Sequence, residues 1–247
     1  MTFGSPLIAY NIAKEVGTEL NIELIFIDQK FSNELSNNVK NYNTCCVISG
    51  NYEDNIVDLI NKNEGNNIFV YVDSFEIKNI NFSYFKKLNS SYLNSAEFLM
   101  DLNSFGFIRE RCRLLKADLH DVQMDEEFEE FMDENQEFKK TNTIEHMNSI
   151  AGGDYWQEII QEHRDGNING YEAEKRFVEL YCRKMKEFGK FKYVINIPIR
   201  TKAGSPPKYR MVYATNHADG VILMNDNMCK RFDKLLTIQT GGLGSLL

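Results

Sequence analysis

The sequence predicts an α/β protein with a parallel sheet, a C-terminal antiparallel hairpin and a helical insertion between the two. Three observations carry this. Over the first hundred or so residues, short apolar runs ending on polar residues alternate with segments of helical spacing. That alternation is the βαβ pattern of a parallel sheet. A highly charged stretch and a long amphipathic stretch follow. Two strand-like runs then flank Ala203-Gly204-Ser205-Pro206-Pro207, the spacing of an antiparallel hairpin with a loose loop.

The elements can be taken in order. Gly4-Ser5-Pro6 opens a helix running from Pro6 to Val16, with Ser5 as a cap, Pro6 in its first turn and Gly17 at its end. Glu23 to Ile27 reads as a buried strand and ends on Asp28. Phe31 to Val39 is a polar helix. Cys45 to Ser49 is an apolar strand followed by Gly50-Asn51. In Tyr52 to Asn63, Ile56, Leu59 and Ile60 fall at helical spacing. Ile68 to Val72 is the most strand-like run of the chain. Its β-branched and aromatic residues have no polar face, which predicts burial on both sides. Asp73 closes it, as an N-cap of the next turn or as a ligand-facing carboxylate at the edge where open α/β sheets bind ligands. A short helix near Tyr84 to Leu88 and a strand from Ala96 to Leu102, closing on Asn103, complete this half.

The segment from Asp118 to Glu137 is strongly acidic and carries Phe128 and Phe131. Such a block reads as a solvated helix or loop, or as a docking surface for a basic partner. Gly152-Gly153 breaks the chain. Asp154 is placed to cap a helix with Tyr155, Trp156, Ile159 and Ile160. After a turn at Gly166 to Gly170, Tyr171 to Phe188 forms a long helix with Phe177, Leu180, Tyr181 and Met185 on one face. Strands at Lys192 to Arg200 and Tyr209 to Asn216 lead to a final helix ending near Leu236. The Gly-rich end, Thr240 to Gly244, lacks the strand-then-helix setting of a phosphate loop. The expected organisation is a core over 1–103, a helical insertion over 104–190 that includes 118–137, and a hairpin and helix over 191–247 that complete the core sheet.

Composition narrows the function classes. The 247 residues carry a net charge of -8, which argues against broad, sequence-independent nucleic-acid binding. Lys208, Arg210, Lys230, Arg231 and Lys234 leave room only for a local basic surface. No apolar run approaches the roughly 20 residues a membrane span needs, and no signal segment opens the chain. The five cysteines are odd in number with no C-x-x-C spacing, and the four histidines are scattered. This predicts reduced thiols, a cytoplasmic setting and no metal site.

Several stretches together resemble the three-Cys-motif partner proteins, a family with a Rossmann-like class I methyltransferase fold. They are G-S-P-L-I-A at Gly4 to Ala9, L-I-F-I-D at Leu24 to Asp28 and V-Y-V-D-S-F at Val70 to Phe75. E-F-L-M-D-L-N at Glu97 to Asn103 and Y-R-M-V-Y-A-T-N-H-A-D-G-V-I-L-M at Tyr209 to Met224 continue the series. The resemblance spans most of the chain outside the acidic block. It implies an S-adenosylmethionine pocket. In it Asp28 accepts hydrogen bonds from the ribose hydroxyls, and Gly50-Asn51 meets the adenine edge. Asp73 faces the methyl donor and the acceptor, orienting an amine or taking its proton. Phe75 stacks on a planar substrate, and Asn103 lines the far wall as a substrate-binding residue.

The chain also departs from the family pattern. It opens at about the helix that follows the family's Gly-rich loop, so the first strand and that loop are not represented. In the family fold that strand lies centrally, between the second and fourth. A shortened chain and a degenerate one are both compatible with this. Ser74 stands where the family favours Pro, and Glu76 where it favours Gly. Two expectations of different class follow: a methyltransferase of unknown acceptor, or a catalytically degenerate partner protein that binds another protein, in this family a three-cysteine-motif protein. A nuclease is a third, weaker reading, for want of a metal-binding carboxylate motif.

Overall fold

The computed structural model describes residues 5–16, 21–72, 81–90, 92–115, 143–200, 207 and 209–239. The chain divides into two compact units, Met1–Lys62 and Asn63–Leu247.

The first unit contains α1 (Ser5–Val16), β1 (Leu24–Asp28), α2 (Ser32–Val39), β2 (Cys45–Ser49) and α3 (Tyr52–Lys62). β1 and β2 are parallel, in register from Leu24 opposite Cys45 to Asp28 opposite Ser49. Parallel neighbours need a crossover, and α2 supplies it, packing on β2. Val39, Ile56 and Ile60 are buried. The two isoleucines sit four residues apart in α3 and so share one helix face. The Ser32 hydroxyl, at the start of α2, donates to Ser49 Oγ at 2.9 Å and ties the helix to the end of β2.

The second unit contains β3 (Asn67–Val72), α4 (Ser83–Ser90), β4 (Ser95–Leu102), α5 (Ser104–Leu114), α6 (Ile144–Ala151) and α7 (Trp156–Arg164). It continues with α8 (Gly170–Gly189), β5 (Tyr193–Ile199), β6 (Tyr209–Thr215) and α9 (Ala218–Gln239). Its sheet has the order β3-β4-β6-β5. β3 and β4 are parallel, and β6 runs antiparallel to both β4 and β5. The hairpin expected from the sequence is therefore present, and its second strand is inserted next to β4. Cross-strand partners place Val70, Val72, Phe98, Met100, Val212 and Ala214 on one face, and all six are buried. Phe85 of α4 meets Phe98 edge-on at 5.2 Å, and the Tyr181 hydroxyl of α8 donates to Met100 Sδ at 3.9 Å. Of the face predicted for the long helix, Phe177, Tyr181 and Met185 are buried and Leu180 is half-buried.

The chain is thus a mixed α/β protein, but its strands form a two-stranded parallel sheet and a separate four-stranded mixed sheet. β3, expected to be covered on both faces, is the end strand of its sheet. Val70 and Val72 are buried, but Phe69 and Tyr71 are 55% and 49% exposed. The sequence reading assigned neither α5 nor α6. α5 contains Gly106, a poor helix former. α6 is only two turns long and depends on its ends. Thr143 Oγ1 accepts from the His146 N–H, and Gly152 closes the helix in the left-handed conformation at φ 72°. At Gly152 an added Cβ would meet the Phe82 ring at 2.6 Å, so both the backbone and the packing call for glycine. Asp154 does not cap α7 through its side chain; its backbone carbonyl accepts from the Gln157 N–H instead. Gly17, the acidic block 118–137 and Thr240 to Gly244 lie outside the described residues.

Candidate functional site

In the first unit, parallel pairing brings the carboxyl ends of β1 and β2 side by side. Asp28 is opposite Ser49, and the Gly50 N–H donates to the Asp28 carbonyl at 3.3 Å. Gly50 has φ +141°, a conformation side chains rarely adopt, and a Cβ there would approach Asn55 Nδ2 to 3.0 Å. The turn after β2 therefore needs glycine. Asp28 Oδ1 accepts from the Phe31 N–H at 2.5 Å, which shapes the turn into α2. Its other carboxylate oxygen has no hydrogen-bond partner among the described residues. Asn51 is exposed, and its backbone carbonyl accepts from Asn55 Nδ2 at 2.7 Å. Its carboxamide likewise has no partner among the described residues. Glu53 and Asp54 occupy the first turn of α3. Their charge offsets the helix N-terminus and makes this edge a poor phosphate site. Burial, and then the charge of Asp54, push the Glu53 carboxyl above its ordinary range. What this edge offers a ligand is acceptors for hydroxyls and an amide for a heterocycle edge.

In the second unit, the carboxyl end of β4 lies beside the start of β6, with Leu102 opposite Arg210. Asn103 stands between β4 and α5. Its Oδ1 accepts from the Gly106 N–H at 2.8 Å, so it caps the helix. A Cβ at Gly106 would meet that carboxamide at 2.7 Å, which explains a glycine inside α5. Asn103 Nδ2 takes no partner among the described residues.

Next to it lies a buried polar cluster that sequence reasoning missed. The Ser104 hydroxyl donates to Glu174 Oε1 at 2.5 Å. Arg210 grips the same carboxylate with two donors, Nε to Oε1 at 2.6 Å and Nη2 to Oε2 at 2.7 Å. Its Nη1 donates to Asn196 Oδ1 at 2.8 Å. In the sequence Arg210 reads only as part of the basic tail. The available signal was Glu174 itself: it stands three residues before Phe177 and seven before Tyr181, on the stripe that helical spacing assigns to the core. Cys182 adjoins the cluster. Burial pushes its thiol up to about 12, against the smaller opposing effects of a hydrogen bond to Asn196 and the charge of Arg210. It is a neutral, inert thiol at neutral pH.

Toward the other end of β4, Thr215 Oγ1 donates to Glu97 Oε1 at 3.1 Å. Burial and the neighbouring Glu97 raise the Tyr213 phenol to about 12. Gly220 of α9 packs close here, since a Cβ would meet the Tyr213 hydroxyl at 2.7 Å. Cys182 and Tyr213 both hold their protons more tightly when folded than when unfolded, where they titrate near 9.0 and 10.0. Their contribution to stability is complete below pH 9 and is lost as pH rises toward 12. The urea midpoint is expected to fall over that window and to fall less in Tyr213→Phe; a pH-independent midpoint would contradict these assignments.

The sequence-predicted residues thus distribute as follows. Asp28, Gly50 and Asn51 share one strand edge in the first unit. Asn103 belongs to the second unit. Asp73 and Phe75 lie outside the described residues. Among the described residues no three His, Cys, Asp or Glu side chains are placed to hold a metal ion, and no helix is long and apolar enough to cross a membrane. All five cysteines are free thiols. Searches against protein-family models, curated proteins and solved structures found no match to this chain.

Proposed function

We propose that the chain is a methyltransferase-like protein of the three-Cys-motif partner type that binds S-adenosylmethionine and acts on an acceptor yet to be identified. The observation that carries the reading is the juxtaposition of Asp28 with Gly50-Asn51 at the carboxyl ends of two paired parallel strands. The donor set suits the nucleoside half of the cofactor. The unbonded oxygen of Asp28 would hold the ribose hydroxyls, and the Asn51 carboxamide would meet the adenine amino edge. The make-up of the second sheet, parallel strands continued by an antiparallel hairpin, also supports the reading.

When bound, the cofactor supplies an electrophilic methyl group. The protein's own part is to hold and orient. By the resemblance alone, Asp73 would orient an amine acceptor or take its proton, and Phe75 would stack on a planar one; both lie outside the described residues. Asn103, in the second unit, has its Oδ1 committed to capping α5.

The test is calorimetric titration of the full chain with S-adenosylmethionine and S-adenosylhomocysteine. Saturable binding is expected. Asp28→Asn keeps an acceptor for the Phe31 N–H but removes the charge, and losing a charged hydrogen bond of about 1.5–3 kcal/mol should weaken binding by roughly 10- to 100-fold. A folded chain that takes up neither compound would overturn the proposal. The alternative, a non-catalytic partner protein, draws support from β3 being an end strand, since the family fold surrounds that strand.

A further inference from the structure

One polar contact on each face of the second sheet ties β6 to β4. On the first face Arg210, opposite Leu102, holds the Glu174 carboxylate of α8 with two donors. Ser104, at the start of the helix that follows β4, donates to the same carboxylate. Glu174 therefore refers the position of β6 to the carboxyl end of β4. On the second face, one step beyond the Phe98–Ala214 pair, Thr215 Oγ1 donates to Glu97 Oε1 at 3.1 Å.

The apolar pattern leaves this register open. A slip of one residue turns every side chain to the wrong face, but a slip of two does not. Among the described strands β5 pairs only with β6, so the hairpin can move past β4 as a unit with its own ladder intact. Moved until Leu102 faces Val212, it sets Met100 opposite Ala214, and these pairs stay apolar. What the move breaks is polar. Asn196, which accepts from Arg210 Nη1 at 2.8 Å, travels with the hairpin. Glu174, Ser104 and Glu97 stay behind. Moved two residues the other way, Arg210 faces Met100, which is fully buried, and the guanidinium gives up its carboxylate in a desolvated place.

We propose that the Arg210–Glu174 and Thr215–Glu97 contacts are a register device, which selects one of the strand pairings that apolar burial alone leaves available. A buried ion pair is a weak source of net stability compared with an apolar substitute, and fixing register is the best-attested use of a buried polar group. The inference does not depend on cofactor binding.

Cross-strand nuclear Overhauser contacts, measured on the full chain, read the register directly. The wild type should give one set, with Phe98 facing Ala214, Met100 facing Val212 and Leu102 facing Arg210. Glu174→Leu/Arg210→Met/Thr215→Val removes both contacts and keeps the apolar pattern. It should fold and show a second set, with Leu102 facing Val212, together with doubled amide signals over 209–215. A single native set in this variant overturns the proposal, since the apolar face would then specify the register unaided. Should the variant fail to fold, moving the arginine decides. Arg210→Val/Val212→Arg/Thr215→Val shifts the guanidinium two places along β6 and frees the other face. The register should follow, so that Leu102 faces position 212. Leu102 still opposite position 210 overturns the proposal.

Discussion

Glu174→Ala is expected to destabilise the protein by about 3–5 kcal/mol, the loss typical when one partner of a buried ion pair is removed. Glu174 is 1% exposed and accepts from Ser104 and twice from Arg210. Removing the carboxylate strands the guanidinium, whose side chain is 12% exposed, with Asn196 as its remaining partner here. The cost is that of leaving a charge desolvated, and this fixes the pattern across variants. Arg210→Ala should cost a similar amount, because it strands the carboxylate. Glu174→Leu/Arg210→Met removes both charges and should cost clearly less than the sum of the single changes. Urea unfolding of the wild type and these three variants tests the pattern. A loss below about 1 kcal/mol in Glu174→Ala, the range of an exposed pair, would show that the pair is not desolvated.

Phe177→Ala is expected to lose about 3–5 kcal/mol by leaving a cavity in the second unit. Phe177 is fully buried and lies stacked on Phe107, with ring centroids 4.1 Å apart and planes 13° from parallel. Tyr181 and Tyr155 flank it at 5.7 and 6.1 Å. On its far side Phe107 carries the Arg111 guanidinium at 3.9 Å and meets the Trp156 edge at 6.4 Å. The ring therefore joins α5, α7 and α8, and neighbours held by their own partners cannot collapse into the gap. Phe177→Leu refills most of the volume and should cost less than Phe177→Ala. Near-ultraviolet circular dichroism should lose aromatic intensity in the alanine variant, with urea unfolding giving the energy. Equal stability of the two variants would show that volume is not what the position supplies.

These two sites also mark where sequence reading succeeds and where it stops. Phe177 was assigned to the buried face of its helix, because helical spacing with Tyr181 and Met185 is a local pattern. Glu174 lies on the same stripe and was passed over, since its partner Arg210 is 36 residues away and no local period links them. Asp28, Gly50 and Asn103 were legible as strand ends for the same local reason as Phe177. Their hydrogen bonds to Phe31, Asp28 and Gly106 follow from turn and cap geometry written into neighbouring residues. α5 escaped because Gly106 argues against a helix. The cap that needs this glycine becomes visible only when Asn103 and Gly106 are seen together.

The sequence by itself determined where the strands and, apart from α5 and α6, the helices form, and that the C-terminal strands make an antiparallel hairpin. It also placed polar residues at the ends of β1, β2 and β4. Apolar runs, caps and turn residues act over a few positions, and this information is present in the chain. Only the tertiary structure decided that the strands divide into a parallel pair and a four-stranded mixed sheet, that β6 enters beside β4, and that β3 ends its sheet. Strand partners are chosen by backbone hydrogen bonds and facing side chains far apart in sequence. An apolar run such as Ile68 to Val72 reads the same whether a neighbour lies on one side of it or on both.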